Sequence, residues 1–480
     1  MSQTERRDSR WFALVVLCAG MLMIILDGTI VNVALPVIQA DLGFSQSGLA
    51  WVINAYLIPF GGLLLLAGRT GDLVGRKRMF LGGIAVFTAA SLLCGLATTQ
   101  GLLIAARFVQ GVGGAMAAAV ILGMIVTMFP EKGEQARAIA VFSFVAAAGG
   151  SIGLLAGGVL TEAISWHWIF FVNVPIGVLA GVLAVRKVPG EQGIGLREGA
   201  DVLGALLVTT GLMLGVYTIV KAADYGWGSA HTLLVGAASA ALLVGFFARQ
   251  ATSANPLLPL RILRNRNVAG ANLIQVLMVA GMFGMFFLGA LYLEKVLHYD
   301  PLQIGLGFLP VAVGIGGLSL GASARLNARF GERNVLIGAL VGVAAGLALF
   351  TRAPVDANYL TDVFPAVTLM GVGAGLGFPA MMTLAMSDAT KDDSGVASGL
   401  VNTTQQVGGA LGLAVLATVA TSHTNGLMTG GTPAIEAMTS GYRIAFGIAA
   451  GLVTIAAILA ITVLRQPKIT QEELVPATVG

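Results

Sequence analysis

Fourteen apolar runs, each long enough to cross a bilayer as a helix, follow one another along this 480-residue chain with little sequence between them. They fall at roughly 12–34, 48–68, 79–97, 102–128, 136–160, 168–185, 202–220, 232–248, 268–293, 302–321, 335–351, 362–385, 397–421 and 442–464. Hydrocarbon offers no partner to a backbone N–H or C=O, so each crossing must close its hydrogen bonds within itself, and about 20 apolar residues do so as a helix. Composition agrees: 56% hydrophobic residues, 10% charged residues and a mean hydropathy of +0.88 leave too little polar surface to wrap a soluble core of this size. The expectation is an all-α integral membrane protein whose main solvent is the lipid bilayer.

The run 12–34 follows a ten-residue basic leader, is longer than the apolar stretch of a removed signal peptide, and lacks its cleavage flank, so it is read as a retained helix. Fourteen crossings put both termini on one side. Counted by that alternation, 22 Lys and Arg residues lie on the side of the termini and 4 on the other, which predicts cytoplasmic termini in a bacterial inner membrane.

The chain also repeats itself. Gly111-Val112-Gly113 matches Gly371-Val372-Gly373, and the segment Gly68 to Arg78 has a weaker echo at Ala324 to Arg333 that pairs Gly75 with Gly331. Two six-helix halves follow, related by an offset of 256–260 residues. That offset is longer than six helices need, so the seventh and eighth runs are read as a pair inserted between the halves, a 6+2+6 arrangement. The expected divisions are an N-terminal bundle over 1–190, the inserted pair with its linker over 191–250, a C-terminal bundle over 251–465 and a cytoplasmic tail over 466–480. Glu191 to Asp201 and the Pro- and Arg-containing stretch Arg249 to Asn267 are the expected linkers.

Only two ionisable side chains fall well inside a run, Asp27 in the first and Arg107 in the fourth. A charge at such depth costs at least a few kcal/mol unless it faces a cavity or a partner, which makes both of them candidates for function. At 1.5 Å rise per residue the two lie roughly 12 Å and 8 Å below the outer ends of their helices, depths close enough to pair. Burial favours the neutral acid and a neighbouring guanidinium favours the carboxylate, so small rearrangements load or release a proton. The other reading, a permanently ionised pair that fixes helix packing, stays open. Gln110, one turn beyond Arg107, is placed to orient either partner.

Further candidates are conformational. Gly68 and Gly75 allow a tight cytoplasmic turn; Arg76 and Lys77, with Arg78, suit anionic headgroups; Asp72, an acid in a basic loop, is the expected latch between the halves. Gly149, Gly153, Gly157 and Gly158, with Gly150, strip one face of the fifth helix of side chains, consistent with tight static packing or with a pivot. Asn32, Asn54, Tyr56, Asn173, Asn402, Gln405 and Gln406 are uncharged polar groups that either line a cavity or bond helix to helix. Cys18 and Cys94 sit in apolar runs as small hydrophobes, and His167, His231, His298 and His423 fall near outer loops. No metal-ligand cluster is expected. Gly68 to Gly75 lack the Lys-Ser/Thr ending of a phosphate loop, which argues against a nucleotide-driven machine. No two acids or histidines share a helix interior, as a membrane-embedded enzyme would need, and no loop is long enough for a receptor's soluble domain.

Three stretches resemble the major facilitator superfamily, and in particular its fourteen-helix drug:proton antiporters of the EmrB/QacA type. Leu26-Asp27-Gly28-Thr29-Ile30-Val31-Asn32-Val33-Ala34-Leu35-Pro36 is similar to the helix 1 signature of that subgroup, Gly68 to Arg78 to the loop 2–3 signature of the superfamily, and Arg107-Phe108-Val109-Gln110-Gly111-Val112-Gly113-Gly114 to the helix 4 signature. Trp166-His167-Trp168-Ile169-Phe170 through Asn173-Val174-Pro175 also resembles the subgroup, with His167 where an arginine is more usual. Gly153-Leu154-Leu155-Ala156-Gly157-Gly158 lacks the proline of the helix 5 antiporter signature, and Ala328 stands where Asp72 stands in the first half.

The resemblance implies two six-helix bundles plus two inserted helices, proton-coupled export of lipophilic small molecules by alternating access, and a role for Arg107 in proton transfer. Protons, a lipophilic substrate and the bilayer are the expected partners. The driving force would be the proton gradient, with no cofactor, no nucleic acid, and a monomer as the working unit. The helix Leu302 to Gly321 has no acid, which favours monovalent or neutral substrates. A dedicated exporter of one metabolite or self-made antibiotic is the alternative.

Overall fold

The computed structural model describes residues 3–190, 192, 193, 195, 200–386 and 394–465. The expected tail 466–480 lies outside them, as do residues 191, 194 and 196–199 of the expected linker. Among the described residues every regular element is helical: α1 (Gln3–Leu42), α2 (Gln46–Val74), α3 (Arg76–Gly95), α4 (Gln100–Met128), α5 (Lys132–Ala163), α6 (Trp168–Phe171), α7 (Asn173–Lys187), α8 (Val202–Tyr225), α9 (Ala230–Thr252), α10 (Arg266–Lys295), α11 (Pro301–Gly321), α12 (Ser323–Phe330), α13 (Glu332–Phe350), α14 (Phe364–Met386), α15 (Ser394–Thr429) and α16 (Ala434–Thr462). Thirteen helical stretches among the described residues are long and apolar enough to cross a membrane. The expected span 136–160 lies within α5, whose described part includes the shorter apolar stretch Ile152–Ala163.

The helices begin where side chains accept the orphan N–H groups of a first turn. Ser45 accepts from the Gly48 N–H ahead of α2, Thr99 from Leu102 ahead of α4 and Ser229 from Thr232 ahead of α9. Asp300 and Gln303 form a reciprocal capping box around Pro301.

Two boundaries differ from the sequence expectation. The basic segment after the second run is not a loop. Helix α2 continues through Asp72 to Val74, and the turn is the single residue Gly75, at φ +103°, a conformation that side-chain-bearing residues rarely adopt. Gly331, at φ +78°, makes the equivalent turn between α12 and α13. In the run 168–185 the helical hydrogen bonds are interrupted around Val172, whose backbone stays helical, because Pro175 has no N–H to donate to the Phe171 carbonyl and is tolerated only in the first turn of α7.

Packing reproduces the repeat. Helices α1 to α5 and α7 pack among themselves, as do α10, α11 and α13 to α16, while α2 meets α15 and α5 meets α11 across the seam. The matched glycines do matched work. A Cβ on Gly113 would come within 2.5 Å of the Phe87 backbone N of α3, and one on Gly373 within 2.5 Å of the Ala339 carbonyl of α13. Gly111 lies against Pro59 in α2, and Gly371 against Pro310 in α11. Helix α8 packs on α9, and it also touches both α2 and α15, the helices that meet across the seam.

Candidate functional site

Asp27 and Arg107 meet. Arg107 Nη1 lies 2.5 Å from Asp27 Oδ2, and the two side chains are 1% and 0% exposed, so the pair is sealed from solvent by protein. Burying two charges is costly, and the arrangement is tolerable only if every remaining lone pair and proton finds a partner. Gln110 supplies two of those partners. Its Oε1 accepts from Arg107 Nη1 at 2.7 Å, and its Nε2 donates to Asp27 Oδ1 at 2.7 Å and toward Ser91 Oγ at 2.8 Å. Asn173 Nδ2 donates to Asp27 Oδ1 at 2.9 Å. Arg107 Nε donates to the Val52 carbonyl at 2.9 Å, and the guanidinium carbon stands 4.4 Å from the centre of the Tyr56 ring and 5.7 Å from that of Phe170.

Five membrane helices thus converge on one buried polar cluster. Helix α1 brings Asp27; α2 brings Tyr56 and a backbone carbonyl; α3 brings Ser91; α4 brings Arg107 and Gln110; α7 brings Asn173. Spacing puts Arg107 and Gln110 on one face of α4, three residues apart. Asn173 stands at the first position of α7, Phe170 in α6 lies by the guanidinium, and the Trp166 indole donates to Asp41 Oδ2 at 2.8 Å. Protonating Asp27 would remove the negative member of the cluster and leave Arg107 a buried cation held by neutral acceptors alone. The ion pair therefore ties α1 to α4, and Asn173 ties α7 to the same carboxylate.

Of the other expected residues, Tyr56 belongs to this cluster rather than to an open cavity. Asn32 turns its Nδ2 back to the Gly28 and Thr29 carbonyls of its own helix, 3.2 Å from each. Asn54 is fully buried, and neither its Nδ2 nor its Oδ1 has a partner among the described residues. Asn402 is exposed and Gln405 half-buried on α15, so the candidate cavity residues do not gather at one point. Asp72 Oδ1 accepts from Arg76 Nε at 3.0 Å within the first bundle, while Arg76 Nη1 reaches the Gly123 carbonyl and Lys77 Nζ the Val185 carbonyl. Gly68 has open surroundings, with a Cβ meeting only Ala119, and Gly71 is the glycine that α4 presses on. The glycines of α5 face two neighbours rather than one: Gly149, Gly153 and Gly157 lie on α1, and Gly158 lies on Pro301 and Leu302 of α11.

Ser91, the Val52 carbonyl and Phe170 were not marked as site residues by sequence, and Asn173 only as one polar group among several. Cys94, read as a small hydrophobe, is buried and directs its thiol at Gln110 Oε1, at 3.6 Å. The three contacts to the Asp27 carboxylate are all donor nitrogens, which leave it no metal ligand beside it, and no cluster of metal-ligating side chains occurs among the described residues.

Among the described residues, two groups of apolar helices pack against each other, and the first buries the Asp27–Arg107 ion pair. The chain belongs to the Major Facilitator Superfamily, which it matches over residues 17–413, and is a multi-pass membrane transporter rather than an enzyme. It groups with the antibiotic-resistance exporters of the fourteen-helix drug:proton antiporter subgroup. It is 41% identical to the puromycin resistance protein pur8 of Streptomyces alboniger over 94% of this chain and 90% of that protein, and 39% identical to the cephamycin export protein CmcT of Amycolatopsis lactamdurans over 88% of each. The fold is similar to that of the nucleoside transporter NupG, with a TM-score of 0.66 at 13% identity over 95% of this chain and all of that one.

Proposed function

We propose that this protein is a proton-coupled secondary exporter of lipophilic drugs or antibiotics that works by alternating access. The observation that carries the reading is the buried Asp27 carboxylate, held at once by a cation, Arg107, and by two amides, Gln110 and Asn173. Proton binding and ion pairing compete for the same two oxygens. A proton arriving from outside displaces Arg107, the link between α1 and α4 loosens, and the halves rock; release inside restores the pair. Coupling needs a proton affinity that differs between the two states, and partners drawn from separate helices provide it.

The chain crosses the inner membrane of a bacterium fourteen times in a 6+2+6 arrangement, as a monomer with both termini cytoplasmic. The bundles are 1–190 and 251–465, the inserted pair is 191–250, and the tail is 466–480. Asp72 and Arg76 act as the latch, exchanging their mutual contact for one across the seam in the opposite state. A half-exposed i,i+4 pair is worth only about 0.3–0.5 kcal/mol, so the exchange is easy. Gly149, Gly153 and Gly157 give α1 and α5 a side-chain-free contact on which to pivot, and Gly158 carries that motion to α11. Substrates are monovalent or neutral.

A second reading, a dedicated exporter of one self-made antibiotic, is favoured by the relatives, among them a probable actinorhodin transporter of Streptomyces coelicolor, 37% identical over 85% of this chain. One experiment addresses both. Puromycin accumulation is followed in an efflux-deficient bacterium expressing the wild type, Asp27→Asn, or the wild type with a protonophore, at matched membrane levels. Low accumulation in the wild type that is lost in the other two supports proton-driven export. Export by Asp27→Asn at the wild-type rate would make Asp27 structural. A wild type that ignores puromycin and lipophilic dyes alike would favour the dedicated reading.

A further inference from the structure

Asn54 is 0% exposed, and both polar atoms of its carboxamide lack a partner among the described residues. More than nine-tenths of buried polar groups in folded proteins are hydrogen-bonded, and in a membrane helix no water stands ready to compensate. Its direction follows from helical periodicity. Residues 54, 57, 61 and 65 recur at spacings of three and four and share one face of α2. On that face Leu57 packs on Gly409, a Cβ on Gly61 would lie 2.6 Å from Gln406 Cβ, and Leu65 lies against Gly399, all in α15. Gly409 also lies against Phe283 of α10. The α4 side of α2 is a different face, carrying Tyr56, Pro59 and Phe60 onto Gly111 and Gly114. Asn54 therefore sits on the seam between the halves, one turn from the apolar contacts of Leu57, Gly409 and Phe283.

We infer that Asn54 is a substrate-binding residue whose amide takes the carbonyl, hydroxyl or amide group of an otherwise apolar substrate when the halves part at this seam. This rests on the alternating-access reading above and adds the class of substrate to it. A carboxamide offers two donors and one acceptor, so it binds neutral hydrogen-bonding groups of either polarity without requiring a charge. The amide gives the apolar stretch around Leu57, Gly409 and Phe283 a point of orientation, because a site built to hydrogen-bond a group discriminates against compounds lacking it far better than an apolar pocket does. Asn54 also lies between two contacts to the ion pair along α2: Val52, whose carbonyl accepts from Arg107, precedes it by two residues, and Tyr56, whose ring covers the guanidinium, follows by two. Occupancy at Asn54 is thus transmitted to the proton site through less than two turns of one helix.

The test compares two variants of equal shape, Asn54→Val and Asn54→Thr, which differ by a methyl group against a hydroxyl. Puromycin accumulation in cells and the puromycin-induced shift in thermal unfolding of the purified protein are both measured. The expected result is that Asn54→Val loses export and puromycin affinity by about tenfold or more, that Asn54→Thr keeps most of both, and that the ligand-free unfolding midpoint of Asn54→Val is unchanged or higher. Equal export and equal shifts for Val and Thr would overturn the assignment. A wild type with no puromycin export and no shift would sink the exporter reading, and this inference with it, whereas a wild type that exports alongside a fully active Asn54→Val would sink only the inference.

Discussion

Asn173 Nδ2 lies 2.9 Å from Asp27 Oδ1, the same oxygen that Gln110 Nε2 approaches at 2.7 Å, so one carboxylate oxygen is shared by helices α4 and α7 while the other is given to Arg107. A hydrogen bond to a charged group contributes roughly 1.5–3 kcal/mol. Asn173→Ala should lower thermal stability by about that amount and reduce export severalfold. Asn173→Asp, which sets a second acid against Asp27, should be worse in both. Thermal unfolding in detergent and puromycin uptake measure the two effects.

Breaking the buried pair from one side leaves an uncompensated charge, and such losses run to about 3–5 kcal/mol. Arg107→Gln and Asp27→Asn should each destabilise the protein on that scale. The double variant should recover most of the stability, because both charges are gone, yet export nothing. A double variant that regains both stability and transport would reduce the pair to a packing device.

The Gly113 and Gly150 positions make a contrast. A Cβ at Gly113 meets the backbone of α3 at 2.5 Å, whereas one at Gly150 meets nothing within 4 Å. Gly113→Ala should therefore cost about 1–3 kcal/mol through forced separation of α3 and α4. Gly150→Ala should leave the unfolding midpoint unchanged or slightly higher.

Asp201, which caps α8 just ahead of its apolar stretch, gives a pH signature. Burial pushes its carboxyl up, but hydrogen bonds from Arg249, the Gly204 N–H and Gln250, with the Arg249 charge, outweigh burial and hold it below its ordinary value. A depressed folded value means stability that is present above the unfolded value of about 3.9 and is lost as pH falls through the folded one. Asp201→Asn should thus be less stable than the wild type at pH 7. The difference should shrink as the pH is lowered through 4 and toward 3, as followed by thermal unfolding.

Much of this site was legible in the sequence, for a physical reason. An ionisable residue in hydrocarbon is so costly that Asp27 and Arg107 stood out, and Gln110 followed from helical spacing. The other groups around the ion pair carried no such signal. The Val52 carbonyl belongs to every residue type alike, Ser91 is one hydroxyl among many, and Asn173 acquires its position from a helix break that Pro175 imposes four residues after Phe171. The repeat glycines also read correctly, since Gly113 and Gly373 serve matching contacts. The segment after the second run was read as a loop with Gly68 and Gly75 as its turn glycines. Only Gly75, at positive φ, makes the turn, and the helix runs on through Gly68 and Asp72 to Val74.

The most direct test of the account is proton movement itself. The protein is reconstituted into liposomes holding a pH-sensitive dye, a pH gradient is imposed, and puromycin is added to the wild type and to Asp27→Asn. The account predicts that puromycin accelerates dissipation of the gradient through the wild type, and that Asp27→Asn abolishes this effect while still binding puromycin. Puromycin-dependent proton flux of equal rate through both proteins would contradict it.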